Sequence, residues 1–302
     1  MAETENTMAY RLVKWSLTAM ACLPMWMLYG LSDFIFLIVC HVMRYRIQIV
    51  TCNLQDSFPD ASEREIRSIR RRFYRNFTDY IFETIKLLHI SDKEMKRRMT
   101  FSGMETVDRI LSEGRPIVAY FSHCGNWEWV PSITLWSNLN QDRKEAEFCQ
   151  IYRPLRNKLM DKLMLSLRSR FGSVSLKKKV AFLDLMRYKR MEIPTITGFM
   201  SDQKLSHGDE GHIVNFLSHA TPFITGTETV ARRLDAAVVY FDMHKRSRGH
   251  YHIDIKLITE QPRELPDFAL TDRYAAMLSR TIRRNPSIWL WSHNRWRIEQ
   301  KK

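Results

Sequence analysis

The stretch Pro116-Ile117-Val118-Ala119-Tyr120-Phe121-Ser122-His123-Cys124-Gly125-Asn126-Trp127-Glu128-Trp129 decides how the chain is read. Its first five residues form an apolar run, the pattern of a buried strand. Trp129 to Trp136 reads as the start of a helix. His123 therefore stands where a strand ends and a helix begins, with a carboxylate five residues on. In open α/β sheets, sites form outside the carboxyl ends of strands. A His held by a carboxylate is the minimal unit of general base catalysis. Residues i and i+5 of a regular helix lie about 140° apart. The spacing therefore lets the pair meet only if His123 lies in the loop and Glu128 in the first turns of the helix. The plainer reading is a His at a strand end and a Glu on a solvated turn.

The rest of the chain gives this stretch a setting. Glu147–Tyr152 is a second strand, ending in Arg153-Pro154, and 193–200 a third, ending in Ser201-Asp202-Gln203. Residues 213–217 form a short strand, and 236–241 with 251–257 a late hairpin. Helices are expected over 104–113, 155–171, 177–189, 221–234 and 266–284. Ser62 with Glu65 makes a capping box ahead of a helix whose apolar residues recur at helical spacing from Ile66 to Leu88. Strands alternating with helices argue an α/β fold, a mostly parallel central sheet flanked by helices. Three strands then end in one polar cluster of His123, Arg153 and Asp202, as an active edge of such a sheet does.

Ahead of this domain, from Trp15 to Met43, the only formally charged residue is Asp33. About 20 apolar residues suffice to span a bilayer. Pro24, Gly30 and Asp33 interrupt the run, which suits a kinked membrane helix or a re-entrant hairpin. It lacks the cleavage site of a signal peptide. The division expected is a membrane anchor over 1–45 and a catalytic domain over 46–302.

Among 302 residues, 47 Lys and Arg against 33 Asp and Glu leave a net charge of +14. Such a balance points to a polyanionic partner: nucleic acid, an anionic membrane surface, a phosphorylated lipid or an acidic carrier protein. The apolar run argues against free nucleic-acid binding. Arginines 64, 67, 70, 71, 72 and 75 crowd one helix face, either simply solvated or in contact with anionic head groups. Five scattered cysteines, with no C-x-x-C pair, read as reduced thiols. There is no G-x-S-x-G, no nucleotide phosphate loop and no H-E-x-x-H. What remains is a base with an orienting partner and no protein nucleophile, a pair that activates a substrate hydroxyl for attack on a carbonyl. Arg153 and Arg295 are suited to phosphate or carboxylate by their planar forks.

These residues fall in an order that resembles a known family. Leu23-Pro24, Asn53-Leu54 with Phe58-Pro59, Phe73-Tyr74-Arg75-Asn76 with Glu83, His123 and Glu128 as H-x4-E, Tyr152-Arg153-Pro154 with Asn157, Asp202-Gln203, Val214-Asn215-Phe216, and Pro286 through Trp289, Trp291, His293, Arg295 and Trp296 together resemble the late acyltransferases of lipid A biosynthesis, the lauroyl/myristoyl type. The resemblance implies a glycerolphosphate-acyltransferase-like fold at the bacterial inner membrane, active on the cytoplasmic side. It implies transfer of a fatty acyl chain from acyl carrier protein to a hydroxyl of a lipid A precursor. Carried over, His123 is the base and Glu128 orients it, with no metal and no cofactor besides the acyl carrier co-substrate. Substrate binding is expected at Arg153, Asn126, Asp202, Gln203 and Arg295. An apolar tunnel should open beside the pair. The loop His207-Gly208-Asp209-Glu210-Gly211-His212 is more polar than the family pattern, which leaves a lysophospholipid or aminolipid acceptor as the alternative.

Overall fold

The structure is a computed structural model and describes residues 8–139, 145–206 and 208–296, so His207 of the polar loop and Arg297 of the tail lie outside it. The helices are α1 (Met8–Cys22), α2 (Met25–Leu37, continued by a π turn to Val42), α3 (Ile47–Ser57), α4 (Glu63–Lys86), α5 (Asp92–Arg98), α6 (Met104–Ser112), α7 (Lys158–Arg168), α8 (Ala181–Arg190), α9 (Gly226–Leu234) and α10 (Ala269–Arg284). The strands are β1 (Met99–Ser102), β2 (Ile117–Phe121), β3 (Glu147–Tyr152), β4 (Val174–Lys177), β5 (Thr195–Met200), β6 (Gly211–Phe216), β7 (His219–Ile224), β8 (Ala237–Ser247) and β9 (His250–Thr259).

Seven strands form one sheet in the order β1-β9-β8-β2-β5-β3-β4. Strands β8, β2, β5, β3 and β4 run parallel, while β9 returns antiparallel to β8 and carries β1 parallel to itself. All five residues of β2 are buried, as a strand covered on both faces requires. From β2 the chain crosses to β3 and β4, then comes back to lay β5 between β2 and β3. That reversal opens a crevice at the carboxyl ends of β2 and β5.

Two local expectations are corrected. Residues 221–224 belong to β7, paired antiparallel with β6 outside the main sheet, and the helix begins only at Gly226. Thr221-Pro222-Phe223-Ile224 alternates buried and exposed positions, the period of a strand, and Pro222 stands at an exposed one. The segment after His123 is a 3-10 helix over Trp127–Leu135 with Pro131 inside it. The four-residue strands β1 and β4 complete the sheet's two edges.

The N-terminal helices dock on α4. Its capping box is formed, Ser62 Oγ accepting from the Glu65 amide while Glu65 Oε2 accepts from the Ser62 amide at 2.8 Å. Such caps are worth about 1 kcal/mol. α2 turns Met25, Leu28, Ser32 and Phe36 inward. Buried Asp79 of α4 accepts from Ser32 Oγ at 2.7 Å and from Arg248, in the β8–β9 turn, at 2.6 Å; Arg248 also holds Asp33 of α2 at 2.9 Å. Glu83, fully buried, accepts from Tyr29 at 3.0 Å and Tyr251 at 2.9 Å. A Cβ on Gly249 would lie 1.8 Å from the Tyr29 hydroxyl, so this turn meets α2 only as glycine. The opposite face of α2 leaves Trp26, Phe34 and Leu37 exposed.

Candidate active site

The parallel register sets Phe121 of β2 against Met200 of β5. Two residues further on, His123 and Asp202 leave adjacent strand ends side by side. His123 Nδ1 lies 2.8 Å from Asp202 Oδ1, and the His123 backbone N–H donates to Asp202 Oδ2 at 2.9 Å. Trp289 Nε1–H donates to the same oxygen at 2.9 Å. Burial of Asp202, 1% exposed, pushes its carboxyl up; the facing imidazole and these three hydrogen bonds outweigh that and hold it at about 2. An ionised carboxylate only accepts. The proton therefore sits on Nδ1, and Nε2 presents its lone pair. The amide nitrogen of Gln203 lies 3.1 Å from that Nε2. The His123 side chain is 14% exposed, reachable but largely desolvated.

The chain terminus braces this arrangement. Leu290 N–H donates to His123 O at 3.1 Å and Gly125 N–H to Ile288 O at 2.9 Å, a short antiparallel bridge between the His123 loop and the Trp-rich tail. Trp289 and Trp291 are core side chains. Trp127 sets its edge against His123 with ring centroids 5.1 Å apart, and Tyr80 of α4 stacks on Trp127 at 4.1 Å. Burial holds the His293 imidazole down at about 4, so it is neutral at pH 7, within hydrogen-bond reach of the Lys204 amide at 3.4 Å.

The expected partner of His123 is corrected here. Glu128, also buried, is held bidentately by Arg168 of α7, Nε to Oε2 and Nη2 to Oε1, both at 2.7 Å. Burial works against the Arg168 charge, but this clamp outweighs it and raises its pKa. Trp127 takes the side of the turn facing His123, and its neighbour Glu128 points elsewhere, since successive 3-10 residues stand about 120° apart. The orienting carboxylate is Asp202.

The other expected residues divide. Gln203 is at the imidazole. Arg153, at the end of β3, is on the exposed rim with Nη1 3.3 Å from Ser206 Oγ. Lys178, after β4, grips Asp209 at 2.7 Å, and Lys204 follows β5, so the crevice has a basic rim. Asn126 is no rim residue: fully buried, it donates to Glu83 Oε2 at 2.9 Å. Arg295 is 3% exposed, donates to Pro222 O at 2.6 Å and lies over the Phe223 ring, and burial lowers it to about 10. Both are interior struts. Sequence reasoning missed Arg168 and Trp289, whose roles depend on which strand lies next to β2. The apolar space beside Phe121 is ≈ 30 Å³, about one water, and the Phe121 ring fills the place that Gly198 leaves open. No group of three or more His, Cys, Asp and Glu among the described residues is placed to hold a metal ion. Cys124 is buried, which pushes its thiol well up and leaves it a poor nucleophile.

A histidine paired with a buried carboxylate, at the mouth of a crevice with a basic rim, suits transfer to an external hydroxyl. The model of the family described as bacterial lipid A biosynthesis acyltransferase matches residues 4–298. The chain belongs to that family. This acyltransferase is 24% identical over 277 residues to the lipid A biosynthesis lauroyltransferase of Escherichia coli (strain K12), covering 91% of this chain and 87% of that protein. It is 21% identical over 204 residues to the lipid A biosynthesis acyltransferase of Haemophilus influenzae (strain ATCC 51907 / DSM 11121 / KW20 / Rd), covering 67% of this chain and 61% of that one. Acyl transfer in lipid A biosynthesis is thus the family activity, on an α/β scaffold as expected.

Proposed function

We propose that this acyltransferase moves a fatty acyl chain from the thioester of acyl carrier protein to a hydroxyl of a lipid A precursor, with His123 as the general base. His123 Nε2 takes the proton of the acceptor hydroxyl as its oxygen attacks the thioester carbonyl. Asp202 holds Nδ1–H and stabilises the imidazolium that forms. The tetrahedral intermediate collapses, expelling the carrier's pantetheine thiolate, which takes the proton back from Nε2. The Gln203 amide must leave Nε2 as the acceptor arrives. Glu128 acts through Arg168, fixing α7 against the 3-10 segment that follows the His123 loop. The basic rim of Arg153, Lys178 and Lys204 suits an acidic carrier and a phosphorylated acceptor. The exposed apolar face of α2 suits anchorage at the cytoplasmic face of the bacterial inner membrane.

The observation that carries this reading is the His123–Asp202 pair at the end of β2. The experiment is acyl transfer by purified His123→Ala, with thermal unfolding measured beside it. The expected result is a loss of about 10³–10⁴ in rate, with the melting temperature lowered but a cooperative unfolding transition retained, since Asp202 keeps the His123 amide and Trp289 as partners. Transfer at the wild-type rate would remove His123 from the chemistry.

A further inference from the structure

α4 carries more positive charge than its neighbours neutralise. Arg75 is shared with Asp33 at 3.0 Å, and Asp33 is itself taken up by Arg248. Arg71 and Arg72 stand exposed, with no ion pair to any of the described residues. They do not face open solvent alone. Together with Phe36 and Leu37 of α2 they line a groove of ≈ 620 Å³ between the two helices. The α4 wall carries Arg71, Arg72 and Arg75; the α2 wall carries Phe36 and Leu37 with the Asp33 carboxylate, which Arg75 and Arg248 already hold. The apolar wall continues into the unpartnered face of α2, where Phe34 is 62% and Trp26 73% exposed.

We propose that this groove seats one anionic phospholipid, its phosphodiester between Arg71 and Arg72 and its acyl chains along Leu37 and the exposed face of α2. The inference rests on the membrane anchorage proposed above. The chemistry favours a lipid over other polyanions because the groove is amphipathic. A nucleic acid or an acidic protein would pair the guanidiniums but leave the apolar wall facing water. Two adjacent forks suit the non-bridging oxygens of a phosphate. The low dielectric at a membrane surface strengthens the contact.

The seat has a consequence for the active site. From Arg75 α4 runs on to Tyr80, which stacks on Trp127, whose edge meets His123. The eight residues from Arg72 to Tyr80 span about 12 Å of helix. A lipid held at Arg71 and Arg72 therefore sets the height of the His123 crevice above the membrane through one rigid helix.

The test uses the full chain in nanodiscs of phosphatidylcholine alone or mixed with phosphatidylglycerol, with retained lipids counted by native mass spectrometry. Wild type is expected to keep one phosphatidylglycerol in preference to phosphatidylcholine. Arg71→Ala/Arg72→Ala should lose that preference by roughly five-fold per arginine. Arg187→Ala/Arg190→Ala, with the same change of charge on exposed positions of α8, should keep it. Equal retention of the two lipids by wild type, or equal loss in both double variants, overturns the seat. Protein that enters phosphatidylcholine discs yet retains no phosphatidylglycerol overturns the seat and leaves the anchor standing. Protein that enters neither disc overturns both.

Discussion

At the carboxyl ends of β2 and β5, Asp202 gathers three hydrogen bonds around a histidine whose second nitrogen is met only by the Gln203 amide. At the junction of α2, α4 and the β8–β9 turn, Asp79 and Glu83 are likewise surrounded by donors, and both carboxylates are taken up. Asp79 accepts from Ser32 and Arg248, with Lys245 at 3.8 Å; Glu83 accepts from Tyr29, Tyr251 and Asn126. Both regions bury charge and satisfy it. Only one satisfies it through a group with two distinct nitrogens, so only one can hand a proton on. Buried polar saturation marks structure in one place and chemistry in the other, and the difference lies in the identity of one partner.

That contrast breaks if the junction proves dispensable to the fold. Asp79→Ala strips Arg248, Lys245 and Ser32 of their common acceptor. The expected cost is about 3 kcal/mol in denaturant unfolding, because removing one partner of a buried ionic network leaves the others uncompensated. Arg248 is partly exposed, which keeps the cost at the low end. Unchanged stability would make the junction ornamental.

A smaller effect separates the regions by pH. Burial depresses the His293 pKa from 6.5 to about 4. The unfolded chain therefore binds the proton first as pH falls. The contribution of His293 is complete above pH 6.5 and is lost as pH drops towards 4. Asp202, depressed from 3.8 to about 2, begins to lose its contribution only below 3.8. His219, His244 and His252 are also held below the usual value by burial, so they too contribute to the stability lost as pH falls below 6.5. His293→Asn should therefore lessen the stability lost between pH 6.5 and 4 by about 1 kcal/mol, seen as a flatter dependence of melting temperature on pH. An unaltered slope would mean that His293 titrates freely.

Much of the cleft is legible in the sequence. The apolar run into Ser122-His123 marks a central strand and its loop, and Asp202 and Arg153 close β5 and β3, the next two strands on one side of it. The partner of His123 was not legible, because it depends on strand order. Asp202 lies 79 residues away and reaches His123 only because β5 returns to lie between β2 and β3. A motif spaced five apart drew attention to Glu128, whose true partner Arg168 lies 40 residues on. The Pro222 segment passed for a helix start because Pro suits a first turn as well as an exposed strand position. The edge strands β1 and β4, four residues each, are too short to show a period.

The central claim is that Asp202, and not Glu128, holds His123 Nδ1–H. Proton NMR of the full chain reads this directly, through the downfield resonance of an imidazole N–H bonded to a carboxylate. The resonance should be present in wild type and in Glu128→Gln, and absent from Asp202→Asn and His123→Ala. Its loss in Glu128→Gln with survival in Asp202→Asn would contradict the account.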